Sequence, residues 1–234
     1  MIDLHSHALP AIDDGAKDVK TSIKMLTDSF SQGVEICALK PHCVLHQPDS
    51  LEKFLKARKA AFELLQYKLK QENISAPELR LGAEVYFDND ISQYDDIKKL
   101  CIEGTNLLLV EFPMQNISRK SYEWLYSLTL KGIKPLIAHV DRYQCYEALI
   151  NDFSDLDVAY QLNAENFLTF FGRRHIKKIL RTNEKFVIGS DMHNLEDRPC
   201  NMQAAFLRAE KMLGTFKARK LFKKNAADLL SILM

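Results

Sequence analysis

Ten residues able to hold a cation or move a proton recur along this chain in short motifs. His5 and His7 stand in H-S-H, and Asp13 and Asp14 follow in D-D-G. His42 closes L-K-P-H, Glu84 closes L-G-A-E, Glu111 closes L-L-L-V-E and His139 closes P-L-I-A-H. Asp191 and His193 complete V-I-G-S-D-M-H. Imidazoles and carboxylates without thiolates form a donor set suited to hydrolytic ions such as Mn, Fe or Zn. Residues i and i+2 of a strand point to one side, so His5 and His7 can grip a single ion, and the same spacing joins Asp191 to His193. Any one of these histidines alone reads more naturally as a hydrogen-bonded core or surface residue. Their shared placement is what carries chemistry.

That placement depends on elements able to bring distant residues together. Strand-like segments are Ile2–His5, Val34–Leu39, Leu79–Val85, Leu107–Phe112, Pro135–His139, Val158–Leu162 and Phe186–Ser190. Helix-like stretches lie between them at Val19–Gln32, Ser50–Glu72, Arg119–Lys131, Arg174–Thr182 and Pro199–Leu213. Gly33 and Gly132 fall where a helix must end in a left-handed residue before the next strand. Repeated strand–helix alternation predicts a parallel α/β fold, either a closed barrel or an open sheet, and seven strands, one short of the eight-stranded form, favour a TIM-like barrel variant. Every strand except Val158–Leu162 presents a His, Asp or Glu at or just beyond its carboxyl end. In a parallel barrel those ends share one face, where active sites lie.

The 234 residues carry no repeat, low-complexity tract or Pro/Gly/Ser-rich linker, so residues 1–234 read as one domain. With 47% hydrophobic and 27% charged residues, the chain has the composition of an ordinary globular protein. A net charge of +1 argues against a broad nucleic-acid footprint. The opening MIDLHSHALP lacks a secretory pattern, and the longest apolar runs, Leu107–Val110 and Pro135–Ala138, are far too short to insert in a membrane. Five scattered cysteines fit a reduced, cytoplasmic setting.

The motifs H-S-H, D-D-G, P-H, G-A-E, V-E-F, I-A-H-V-D-R-Y and S-D-M-H-N, in that order from Met1 nearly to the C-terminus, resemble the polymerase-and-histidinol-phosphatase (PHP) family. Within it the chain is most similar to bacterial protein-tyrosine phosphatases of capsule and exopolysaccharide operons. The resemblance implies a distorted (β/α)7 barrel around three divalent metal ions, most often Mn2+. It implies one ion held by His5, His7, Glu84 and Asp191. Glu84 would bridge to a second ion completed by Glu111 and His139, and Asp14, His42 and His193 would hold the third. Cys43, after His42, departs from the Arg or His of relatives and bears on phosphate preference. The implied substrate is a phosphotyrosine protein, the tail of a membrane-associated bacterial tyrosine kinase.

Charge balance agrees with that substrate. Four carboxylates, three divalent ions and a bridging hydroxide leave about one positive charge to meet a phosphate. Arg142 and Arg198 can add planar donors to its oxygens as catalytic residues. A metal-bound hydroxide would attack phosphorus in line, and a phenol leaving group of pKa about 10 needs little acid help.

Other chemistries fit less well. Six residues after Cys37, Cys43, Cys101, Cys145 and Cys200 stand Cys43, Asp49, Leu107, Asn151 and Phe206. None is the arginine that a cysteine-dependent phosphatase requires. No glycine pair has phosphate-loop spacing. Asp88 and Asp90 weakly match an aspartyl-phosphate motif but leave the strand-end donors unexplained. Phe167, Phe170 and Phe171 fall at helical spacing and read as core. Tyr86 and Tyr143 could flank a substrate ring, and Cys43 could pair with His42. A histidinol-phosphate phosphatase and a non-catalytic metal-binding regulator are the competing functions.

Overall fold

The computed structural model describes residues 1–115, 117–182 and 185–231. Its strands are β1 (Ile2–Ser6), β2 (Ile36–Leu39), β3 (His42–Cys43), β4 (Glu78–Leu81), β5 (Glu84–Tyr86), β6 (Leu107–Glu111), β7 (Lys134–Ile137), β8 (Ala159–Asn163) and β9 (Phe186–Gly189). All pair in parallel, in the orders β1-β2-β4 and β3-β5-β6-β7-β8-β9.

The nine strands fill seven positions. At the second, the chain leaves β2, passes Lys40 and Pro41 and re-forms as β3. At the third, the single strand expected over Leu79–Val85 breaks at Gly82–Ala83 into β4 and β5. Pro41 has no N–H for a ladder, yet its carbonyl accepts from the Glu84 amide at 3.0 Å, while the Gly82 amide donates to Leu39 at 2.9 Å. The amide of His7 donates to Met192 O at 2.9 Å and that of Asp191 to His5 O at 2.8 Å, joining β1 to the segment after β9. The ring closes as the distorted seven-position barrel.

Strands of a parallel sheet are covered on both faces, and β1, β2, β8 and β9 are buried throughout, the polar Asp3, His5, Ser6, Gln161 and Asn163 included. Leu4, Leu107, Leu109, Leu136 and Val187 form one buried cluster with Ala38, Ala138 and Ala159. Each large aliphatic chain so buried contributes about 1.5–3 kcal/mol. Gly189 is required here: a Cβ on it would lie 2.5 Å from the Cβ of His5.

The outer helices are α1 (Val19–Ser31), α2 (Ser50–Gln71), α3 (Ser121–Leu130), α4 (Tyr146–Asp152), α5 (Phe170–Ile179), α6 (Met202–Leu213), α7 (Thr215–Arg219) and α8 (Asn225–Leu229), with a π-helical turn at Lys220–Lys224. Asp18 caps α1 by accepting from the Thr21 amide at 2.7 Å. Helix α5 begins four residues before the expected Arg174 because Thr169 caps it, accepting from Gly172 N at 3.0 Å. That early start corrects the reading of the aromatic group as core. Phe167 is buried, but Phe170 and Phe171 occupy the first exposed turn, 68% and 80% accessible. Among the described residues, no helix is long and apolar enough to cross a membrane.

Candidate metal centre

His5 lies in β1 and His7 just past it, both fully buried, and Glu84 opens β5 while Glu111 ends β6. His139 and Asp191 lie two residues beyond β7 and β9, with φ of 27° and 54°. Left-handed backbone at a residue other than glycine costs about 1–3 kcal/mol and persists where surroundings impose it. Asp191 and His193 therefore do not share a strand face as expected. A turn unites them, with His193 Nδ1 donating to Asp191 O at 2.9 Å. Asp14 sits on the loop after β1 and is exposed.

The side chains converge on three groups. His5, His7 and Glu84 form the floor: each imidazole Nε2 is 3.2 Å from Glu84 Oε2, and Asp191 Oδ1 is 3.5 Å from His5 and 3.4 Å from His7. His42, Glu84 and Glu111 form a second group, joined by His139, whose Nε2 lies 3.2 Å from Glu84 Oε1 and 3.3 Å from Glu111 Oε1. His7, Asp14, His42 and His193 form the third, at the solvent side. His42 spans two groups, with Nδ1 3.1 Å from Glu84 Oε2 and Nε2 3.4 Å from Asp14 Oδ1.

These donors fit cations better than they fit one another. Gln161 Oε1 accepts from the His139 amide at 2.6 Å, which fixes the amide's orientation, and lies 3.0 Å from His5 Nδ1. That ring nitrogen therefore carries the proton. Asp13 Oδ2, 2.7 Å from His7 Nδ1, does the same for His7. With Nδ1 so engaged, both rings turn Nε2 inward, 3.0 Å apart, a placement that a shared cation would suit. Both oxygens of buried Glu84, with His193 Nε2, lack a hydrogen bond. The three groups are consistent with a multinuclear metal site.

Before any ion binds, the donors share protons. Burial disfavours the His139 cation, but Glu111 and Glu84 outweigh that and push its pKa up to about 9. Burial would raise Glu84, yet the surrounding histidines, His5 foremost, hold it well below the carboxylate range. Burial followed by the repulsion of His7 lowers His193 to about 4.

Arg198 donates to Asp191 Oδ2 at 2.6 Å, and Arg142 lies 3.9 Å from the same oxygen, so both stand at the rim. Tyr143 does not flank the mouth. It is buried, with its hydroxyl bonded to the backbone of Phe112. Cys43 turns into the core, where burial lifts its thiol to about 12, so it forms no reactive pair with His42. Asp88 pairs with His46, and Asp90 caps a 3-10 turn.

Residue-type reasoning passed over the oxygens behind the donors. Asp13 was visible in D-D-G, but its bonds to His7 and to the His42 amide at 2.9 Å were not. Gln161 and Asn163 interrupt the apolar run of β8, and that interruption was the available signal. Gln161 Nε2 donates to Asn163 Oδ1 at 2.8 Å, and Asn163 Nδ2 to Asp191 Oδ2 at 3.1 Å, linking His5 to Asp191.

Barrel and donor set together define a metalloenzyme-type site at the carboxyl ends of a PHP-like ring. The chain belongs to the family described as capsular polysaccharide synthesis, CpsB/CapC, whose model matches residues 1–231. It is 30% identical to the tyrosine-protein phosphatase CpsB of Streptococcus pneumoniae, over 96% of each chain. It is likewise 30% identical to the tyrosine-protein phosphatase YwqE of Bacillus subtilis, covering 92% of this chain and 86% of that one. A crystal structure from work on YwqE of Bacillus subtilis and CpsB of Streptococcus pneumoniae, described as unique metal-dependent tyrosine phosphatases, superposes with a TM-score of 0.82 at 28% identity. It covers 100% of this chain and 96% of the other.

Proposed function

We propose that this chain is a metal-dependent protein-tyrosine phosphatase of the CpsB/YwqE type, with residues 1–234 acting as one cytoplasmic domain. The observation that carries the reading is the pair of imidazole Nε2 atoms, 3.0 Å apart over Glu84, at the barrel mouth. Three ions, Mn2+ in our reading and with Fe or Zn as the competing metals, would be held as follows. His5, His7, Glu84 and Asp191 bind the first; Glu84, Glu111 and His139 the second; Asp14, His42 and His193 the third. Bound there, the ions supply Lewis acidity toward the phosphoryl oxygens and an acidified water.

The chain's own residues do the rest. Gln161 and Asp13 hold the His5 and His7 rings in the tautomer that offers Nε2. Arg198, already anchored on Asp191, and Arg142 beside it present planar donors to a phosphate entering from the rim. The floor excludes solvent, whereas Asp14 and His42 are open on the outer side, which leaves room for a phosphorylated side chain carried on a protein. The substrate is the phosphotyrosine tail of a membrane-associated bacterial tyrosine kinase of capsular or exopolysaccharide synthesis. The family description and the phosphatase relatives support that choice.

The test compares kcat/KM on a phosphotyrosine peptide and on histidinol phosphate, with bound metal measured in the same sample. Peptide preference with chelator-sensitive turnover is expected. Preference for histidinol phosphate, or no turnover when fully metallated, overturns the reading in favour of a metabolite phosphatase or a regulator. Near-wild-type kcat in metallated His42→Ala or Asp191→Ala sinks the site assignment.

A further inference from the structure

The C-terminal quarter holds a charge asymmetry that the metal centre does not use. Residues 170–224 contain 14 Lys and Arg against 5 Asp and Glu, in a chain whose net charge is +1. The excess has a location. A cleft of about 410 Å³ between α5 and α6 is lined by Arg173, Arg174, Lys177, Arg208 and Lys211, with no carboxylate in its wall. Arg173 is engaged by the carbonyls of Phe167 and Leu168. The other four lie within ion-pair distance of no carboxylate among the described residues.

A second cleft, on the α7 side of α6, repeats the pattern with Arg219, Lys220 and Lys224, while Lys223 is taken by Glu35 at 2.7 Å. Buried Phe222 is clasped edge-on by Phe167 and Phe206, each 5.5 Å away, so this helical layer is fixed to the barrel. Protruding apolar side chains bracket the cations. Phe170 and Phe171 project beside the first cleft, edge-to-face at 5.6 Å, and Phe216, 80% exposed, beside the second. The Phe170–Phe171 knuckle is firmly set, because a Cβ at Gly172 would collide with the Asn166 carbonyl and Thr169 caps the turn.

We propose that this α5–α6–α7 face is a docking surface for an anionic lipid leaflet. Unpaired cations spread over several elements match a field of headgroup charge. Rigid aromatic tips flanking them match the boundary between headgroups and acyl chains. A peptide groove would need one continuous channel, whereas here the cations line two separate clefts, and Leu207 on α6 is also exposed. The inference is independent of the phosphatase reading.

The test is cosedimentation with vesicles of phosphatidylcholine carrying about 30 mol% phosphatidylglycerol, against phosphatidylcholine alone. Binding to the anionic vesicles only, lost between about 50 mM and 0.5 M salt, is expected. Arg174→Glu, Lys177→Glu, Arg208→Glu and Lys211→Glu combined should lower the partition coefficient at least about a hundredfold. Phe170→Ser, Phe171→Ser and Phe216→Ser combined should lower it about tenfold and keep the salt dependence. Both variants should retain the parent's Tm and its turnover of a soluble phosphotyrosine peptide. Equal binding to neutral and anionic vesicles, or undiminished binding by the charge-reversed variant, overturns the proposal. So does full competition by soluble polyglutamate with no effect of the phenylalanine changes, which would assign the face to an acidic peptide.

Discussion

Two side chains outside the three donor groups bear on how well the floor of the site would bind. Gln161 and Asp13 each accept the Nδ1 proton of a histidine and thereby aim its Nε2. Loss of such an outer partner typically weakens metal binding about 10–100-fold. Gln161→Leu should therefore lower Mn2+ affinity by about that factor, read by calorimetric titration, with kcat largely recovered at saturating metal. Unchanged affinity would mean that the ring orientation is set elsewhere. The cysteines supply a second residue-scale prediction. Burial pushes Cys43 and Cys200 up to about 12 and Cys101 to about 11, and a raised pKa leaves the unreactive thiol in place at pH 8. Cys145 alone is exposed. Native-state alkylation at pH 8 followed by mass spectrometry should label Cys145 and spare turnover; inactivation would expose a thiol-dependent step.

At the scale of elements, strand ends aim the donors, and some of those ends are tightly built. Gly189→Ala would drive a methyl group into His5 and Gln161. It should cost about 1–3 kcal/mol by denaturant unfolding and weaken metal binding through the displaced His5 ring. A variant of wild-type stability and metal affinity would show that β8 and β9 can separate without consequence. How much of this was legible beforehand varied with its physical origin. Donor types and their recurrence after apolar segments could be read directly, because ligation restricts residue choice severely. The break between β4 and β5 could not, since L-R-L-G-A-E-V is apolar enough on both sides to suit one strand. The left-handed turns at His139 and Asp191 carry no glycine to announce them. Phe170 and Phe171 misled because helical spacing groups residues on a face without saying whether that face is covered.

At the scale of the molecule, the donors concentrate negative charge that ions should neutralise. Exhaustive chelation is expected to abolish turnover and lower Tm. Metal returned at about a hundred times its Kd should restore about 2.7 kcal/mol of stability through binding to the folded form alone. A Tm indifferent to chelation would mean that the carboxylates and imidazoles balance one another unaided. Closure of the ring carries a further consequence, for the order of events during synthesis. The amide of Asp191 donates to His5 O and that of His7 to Met192 O, so β1 completes its pairing with residues made after every other strand of the ring. Domains begin to fold while the ribosome is still adding residues, but here His5 and His7 wait for Asp191 and His193, which are made after them. A nascent chain arrested before Phe186 would expose His5 and His7 on an unpaired strand edge with no site to hold a metal. Metal loading would then follow synthesis of the segment after β9, and the interval before it leaves the β1 edge open to mispairing.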